Sequence, residues 1–138
     1  MVGIKCFQLW KFADDDFEIF NGEFKSDDQI ICISQCPGSQ LVCGSAEGEL
    51  SWWKDGSNVQ ATKIHLGPLE AITVVWIKED ENASVVLTSG KDGRICITDM
   101  NRKLINSLEI GQLLLNCMDL CIKSIAVDTA NNKLAIGF

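Results

Sequence analysis

His65, Ser89 and Asp92 bring an imidazole, a hydroxyl and a carboxylate into one stretch of the chain, and these are the parts of a hydrolase triad. Other residues invite other chemistry. The Cys32/Cys36 and Cys117/Cys121 spacings suggest a metal site. Zinc, however, usually needs four ligands on tight spacers, and the sequence offers only one histidine to help. On a strand, Cys32 and Cys36 would share a side but stand well apart along it, so no metal is expected. Gly90-Lys91-Asp92-Gly93 lacks the strand–loop–helix setting of a phosphate loop, so no nucleotide cofactor is expected either. Asp14-Asp15-Asp16 has the charge of a cation site, although a solvated turn is the simpler reading. Trp52 and Trp53 are adjacent in a strand-like run and must face opposite ways. One is expected in the core, and the other against a neighbouring unit or solvent, as a contact surface.

The elements that position these groups are hairpins. Val85 to Asp99 holds two apolar runs, Val85-Val86-Leu87 and Ile95-Cys96-Ile97, around Ser89-Gly90-Lys91-Asp92-Gly93. Asp-Gly between strand-like runs marks a tight connection, because glycine takes the positive φ it demands. A second copy runs from Leu41 to Lys54, with Gly48 aligned to Gly93, a repeat of 45 residues. A strand–turn–strand repeat of that length is the signature of a β-propeller blade array.

In chain order, Cys6 to Phe12 and Phe17 to Phe24 form a strand pair, with a bend at Asn21-Gly22. Ile30 to Cys36 is too apolar for a half-exposed edge and is placed inside. Pro37-Gly38-Ser39 turns into the first hairpin. Val59 to Leu66 follows, with its Ile64 and Leu66 end buried. Ala71 to Ile77 is a second apolar strand, and Lys78 to Ala83 is a solvated loop before the second hairpin. Leu104 to Ile110 is a further strand, and Gly111 to Asp119 is either a helical turn or a loop. Cys121 to Val127 and Leu134 to Gly137 begin another unit. The expected fold is all-β, a propeller segment of about three blades. It comprises a partial blade (4–24), two complete four-stranded blades (30–66 and 70–110) and a further partial blade (121–138).

Composition narrows the function classes. Apolar residues make up 46%, enough for a packed core. Twelve basic against 19 acidic residues give a net charge of −7, which argues against nucleic acid and anionic membrane surfaces. No apolar run approaches the ~20 residues of a membrane span, and the start, MVGIKCF, has no signal-peptide shape. Seven cysteines is an odd number, and most lie within apolar runs. They are expected to be buried, reduced thiols in a reducing compartment.

The repeats resemble WD-repeat propellers, whose blades close the third strand with Asp-Gly, a strand, then Trp-Asp. Asp92 to Asp99 fits with Thr98 in the Trp place. Glu47 to Lys54 keeps Trp53 but has Lys54 for Asp, and Phe7 to Lys11 keeps only Trp10. More narrowly, the chain resembles the echinoderm microtubule-associated-protein-like family. The resemblance runs through CFQLWKF, NGEF, IICISQCPGSQLVCGSAEGELSWWKDGSN, the His65-Leu66-Gly67 turn, SGKDGRICITD and the strand leading to LAIG. That family's proteins are far longer, with a tandem propeller, a coiled coil and a basic segment. Three blades also fall below the roughly four that a closed propeller needs. The chain therefore reads as a fragment, a truncated product or a piece that closes by assembly.

The resemblance implies that His65, Ser89 and Asp92 form a hydrogen-bond network that pins a blade, stopping at three members because Thr98 replaces the Trp. It implies a non-catalytic protein-interaction module, with tubulin or microtubules as the partner class and the cytoplasmic cytoskeleton as the setting. The alternative is a general WD-repeat scaffold in a cytoplasmic or ciliary complex, without tubulin contact. The −7 charge fits the acidic microtubule lattice poorly, and better fits soluble tubulin or attraction supplied by another segment. The remaining blades of a longer chain, or self-association, are expected to complete the structure. Alone, the chain is expected to be oligomeric or poorly soluble, and to bind no tubulin without further blades.

Overall fold

The structure is a computed structural model that describes residues 6–13, 16–23, 28–77, 79–114 and 121–138. Within the segment 6–23 only the side chain of Ile19 is described. The strands form four antiparallel sheets. β1 (Cys6–Ala13) pairs with β2 (Asp16–Glu23). β3 (Ile30–Cys36), β4 (Gln40–Ser45), β5 (Glu49–Lys54) and β6 (Ser57–Lys63) follow in that order across a four-stranded sheet. β7 (Leu69–Val75), β8 (Val85–Gly90), β9 (Arg94–Asp99) and β10 (Leu104–Glu109) build a second. β11 (Ser124–Asp128) and β12 (Lys133–Gly137) form the last pair.

Local chemistry fixes these strands. At the β4–β5 and β8–β9 turns, Gly48 (φ 85°) and Gly93 (φ 72°) occupy the left-handed region that side chains resist. Their N–H groups close the turns onto Ser45 O (3.1 Å) and Gly90 O (3.2 Å). The expected solvated loop after β7 contains a single 3₁₀ turn, Glu81–Ala83, whose Asn82 N–H is capped by the Asp80 carboxylate at 3.0 Å. After β10 the chain makes one helical turn, α1 (Ile110–Leu113). Residues 115–119 of the expected helix-or-loop segment lie outside the described residues, as do Asp14 and Asp15 of the acidic run.

The sheets pack face to face through their first strands: β3 lies against β7, and β7 against β11. Alternation along each strand sends successive side chains to opposite joints. Cys36, Val42, Leu50 and Trp52 of the first sheet meet Leu69 and Val86 of the second. On the other face of the second sheet, Leu87 and Ile95 meet Ile122 and Ile125. The outer pair sits differently, with β2 against β6.

Three expectations are corrected. The Asn21-Gly22 bend is absent, because β2 continues through both residues, paired to Gln8 and Phe7. Leu66 is 80% exposed, because the strand ends at Lys63 and the chain turns out at the rim. Ile30 to Cys36 is not enclosed. Ile31 and Ile33 are 44% and 52% exposed, since no inner pair covers that face of β3 among the described residues.

Candidate functional site

His65 lies in the connection between the two four-stranded sheets. Its N–H and that of Ile64 both donate to Gly48 O, at 3.1 and 3.0 Å, so the first sheet's turn fixes where the imidazole starts. The ring then crosses to the second sheet. Nδ1 lies 3.0 Å from Asp92 Oδ1 and 3.2 Å from Oδ2, and Nε2 lies 3.0 Å from Thr88 Oγ1. A carboxylate only accepts, so Nδ1 carries the proton shared with Asp92. In the neutral ring, Nε2 then accepts from the Thr88 hydroxyl. Asp92 also accepts from Leu66 N–H at 2.9 Å and from Arg94 N–H at 3.2 Å.

Asp92 is therefore a hub that joins the β8–β9 turn to the connection in front of it. Burial pushes its pKa up, but the hydrogen bonds from Leu66, His65 and Arg94 outweigh this and hold the carboxyl below its ordinary value. Gly90 makes room for the cluster: a Cβ there would stand 2.5 Å from His65 Nδ1 and 2.8 Å from Asp92 Oδ1.

The hydroxyl in this cluster is Thr88 and not the expected Ser89. Pairing of Thr88 with Cys96 and Ser89 with Ile95 keeps both residues within the β8–β9 ladder, and consecutive ladder residues face opposite joints. Thr88 faces His65. Ser89 faces the other way and donates to Ile122 O at 3.4 Å. The signal in the sequence is Gly90, whose missing side chain admits His65 and which shares its face with the residue two before it. Thr98 stands in the place of the fourth member, the Trp of the repeat. Thr98 is buried, but its Oγ1 has no hydrogen-bond partner among the described residues.

The cluster has the composition of a triad without its accessibility. The His65 side chain is 0% exposed, that of Asp92 is 8% exposed, and Thr88 is fully buried. A hydroxyl in that position meets no substrate, so the three groups satisfy one another across a joint. The same positions of the first sheet carry Cys43 for Thr88 and Glu47 for Asp92.

The described cysteines behave as small apolar residues. Cys32, Cys36, Cys43, Cys96 and Cys121 are free thiols. Burial pushes Cys36 and Cys43 up to about 12 and Cys32 to about 11, and it raises Cys96 as well. Cys32 Sγ donates to Leu69 O at 3.3 Å across a joint. Among the described residues no group of three or more histidine, cysteine or acidic side chains could hold a metal ion. Cys117 and the side chain of Cys6 lie outside the described residues.

The expected contact surface at Trp52 and Trp53 is corrected. The two do face opposite ways, but both are buried, at 1% and 2% exposure. Trp52 packs in the joint with the second sheet, and Trp53 packs with Leu41 and Cys43 on the other face. Among the described residues the exposed tryptophan is Trp76, at 48%, with Ile77 beside it at 37%. They follow β7 at the rim, where the β7–β8 pairing stops at Val75 opposite Val85. In the sequence they are hidden as the end of an apolar run.

No family model matches the chain. Among solved structures, the crystal structure of the Saccharomyces cerevisiae Sqt1 is similar to it at a TM-score of 0.66 and 11% sequence identity. The similarity covers 81% of this chain and 32% of that one, so the chain spans about a third of that chain's length. A likeness at this identity concerns fold: the chain is a partial β-propeller segment of WD-repeat type. It reaches the WD-repeat fold and not the narrower echinoderm microtubule-associated-protein-like family.

Proposed function

We propose that the chain acts as a non-catalytic protein-interaction module. The observation that carries this reading is the division of its polar and aromatic groups. His65, Thr88 and Asp92 are spent on a joint, while Trp76 and Ile77 stand exposed at the rim. Tryptophan concentrates binding energy at protein interfaces, because its large face is buried at little entropic cost. Lys78 and then Glu79, Asp80 and Glu81 follow in the sequence, so the patch is an apolar contact beside a stretch of net negative charge.

Within that class we propose soluble tubulin as the partner and the cytoplasmic cytoskeleton as the setting. The resemblance of the strand and turn motifs to the microtubule-associated-protein-like family supports this, and the contact belongs to a completed propeller. Gel filtration of the chain in its assembled form with soluble tubulin tests it. Co-elution is expected, and Trp76→Ala should weaken binding by about 1–2 kcal/mol while leaving circular dichroism unchanged. Absence of co-elution at micromolar tubulin removes the tubulin reading and leaves the general WD-repeat scaffold in its place.

A further inference from the structure

The joint between the two four-stranded sheets ends, on the side away from His65, in polar groups without partners among the described residues. Thr98 opposes Val86, which packs in that joint, so both face the first sheet. Thr98 is 2% exposed, and its Oγ1 has no hydrogen-bond partner. Arg102, in the β9–β10 turn, reaches across the same joint. Its carbonyl accepts from Gln60 Nε2 and its Nη2 donates to Gln40 Oε1, both at the long distance of 3.5 Å. Its Nε is buried and also without a partner. A folded chain rarely leaves buried polar atoms in that condition.

An unpaired guanidinium is out of place in this chain. Acidic residues outnumber basic ones 19 to 12. Arg94 and Lys123 both have carboxylate partners, at 2.8 and 3.0 Å, whereas Arg102 has only the Gln40 amide oxygen among the described residues. Its backbone is pinned, since Asp99 O accepts from Arg102 N–H at 3.0 Å and Asp99 Oδ1 from Lys103 N–H at 2.8 Å. With Nε buried and the residue half-buried, the charge is held in place before any partner arrives, at little entropic cost on binding. Lys54, which opposes Gln40, and Lys103 are exposed on either side. Lys54, Arg102 and Lys103 outweigh Asp55 and Asp99 in these two turns, so the mouth of the joint is locally positive.

Trp76 stands at the inner end of the same mouth. Ile72 and Val74 of β7 pack in this joint and Val75 in the next, so alternation places Trp76, two residues past Val74, on the side of Arg102. From β7 to the β9–β10 turn is about two and a half strand spacings, roughly 12 Å, or about four residues of extended peptide. We propose that an extended acidic segment of a partner protein docks along this mouth, with an apolar side chain against Trp76 and a carboxylate on Arg102. This rests on the reading of the chain as an interaction module and names the chemistry of what it binds. The planar guanidinium offers a carboxylate two parallel bonds where Gln40 offers one long one. The net negative stretch from Lys78 to Glu81 beyond Trp76 repels a carboxylate at that end, which sets the direction of the segment.

The test pans a phage library of random short peptides on the 138-residue chain. The expected enrichment is an apolar residue with Asp or Glu about four positions away. A synthetic peptide of the selected sequence, followed by fluorescence anisotropy, should bind Arg102→Gln and Trp76→Ala each about tenfold more weakly, with circular dichroism unchanged. Arg102→Lys should recover only part of the loss, because an ammonium has no fork to offer. Binding to the wild-type chain should also weaken as salt rises from about 50 to about 500 mM, a reading that needs no variant to fold. Enrichment of basic or uncharged peptides, no enrichment at all, or acidic peptides whose affinity ignores both salt and Arg102→Gln would each overturn the proposal. Acidic enrichment without tubulin co-elution supports it and removes the tubulin reading alone. Tubulin co-elution with no acidic enrichment overturns this docking mode and leaves that reading standing.

Discussion

Replacing Asp92 by alanine removes the acceptor of three donors at once, and the structure says how much each should matter. Leu66 N–H is exposed and exchanges its carboxylate for water at little cost. Arg94 N–H is partly buried and recovers part of its bond. His65 cannot recover, because its side chain is 0% exposed and its Nδ1 faces only Asp92. If the proton moves to Nε2 and is donated to Thr88, the Thr88 hydroxyl can turn to Cys96 O at 3.5 Å, but Nδ1 is then an unpaired buried acceptor. Either way one buried nitrogen is stranded, which costs about 1–3 kcal/mol. The Asp92 side chain keeps 8% exposure, so water can reach the space that alanine leaves, and the expected loss is about 2 kcal/mol. Asp92→Asn should cost about half as much, because its amide can accept from Leu66 and donate to the alternative tautomer of His65. Urea melts read both variants as shifts in midpoint at unchanged slope. Equal midpoints for wild type and Asp92→Ala, or equal losses for the alanine and asparagine variants, would refute the reasoning.

Acid should erode the same interaction. The folded Asp92 carboxyl lies below its ordinary value, so the stability it contributes is fully present above that value, about 4, and is lost as pH falls through the folded value. The stability gap between wild type and Asp92→Asn should therefore narrow on acidification, and a gap that widens in urea melts below pH 5 would contradict this. Gly90→Ala should destabilise by about 1–3 kcal/mol through contact with His65 and Asp92. Gly67→Ala, whose Cβ meets only Lys91 Cβ at 3.9 Å, should stay within about 0.5 kcal/mol in the same thermal melts. Thiol titration should find all seven cysteines reduced in denaturant, with Cys36, Cys43 and Cys96 unreactive in the native chain. An intact mass showing two or more disulfides would be incompatible with that.

The hairpins were legible because two glycines at a fixed spacing, each with an acidic residue before it, leave few alternatives for the chain between them. The joints were harder to read, because their assignment turns on parity. A shift of one residue exchanges Thr88 for Ser89, and both can hydrogen-bond. Ile30 to Cys36 was misplaced because apolar content reports what a strand is built to meet, while exposure reports what is present to meet it. Trp52 and Trp53 show the converse. Adjacent large residues on a middle strand are covered on both faces, so opposite orientation did not mean that either one reached solvent. Trp76 was concealed by its neighbours, since nothing in Ala71 to Ile77 marks where the ladder with β8 gives out.

The His65 cluster lies at one joint of the chain, between the two four-stranded sheets, where it adds polar bonds to the core around Trp52 and Leu69. In an array whose units touch only their neighbours, stability is a sum over units and joints, and opening starts at the weakest joint. Amide hydrogen exchange should therefore be graded along the chain. Protection should be greatest where β4 and β5 face β8, lower in β11–β12, which is held by one joint alone, and lowest along the bare face of β3. The middle joint thus acts as the last cooperative unit to open and the first from which the array can regrow.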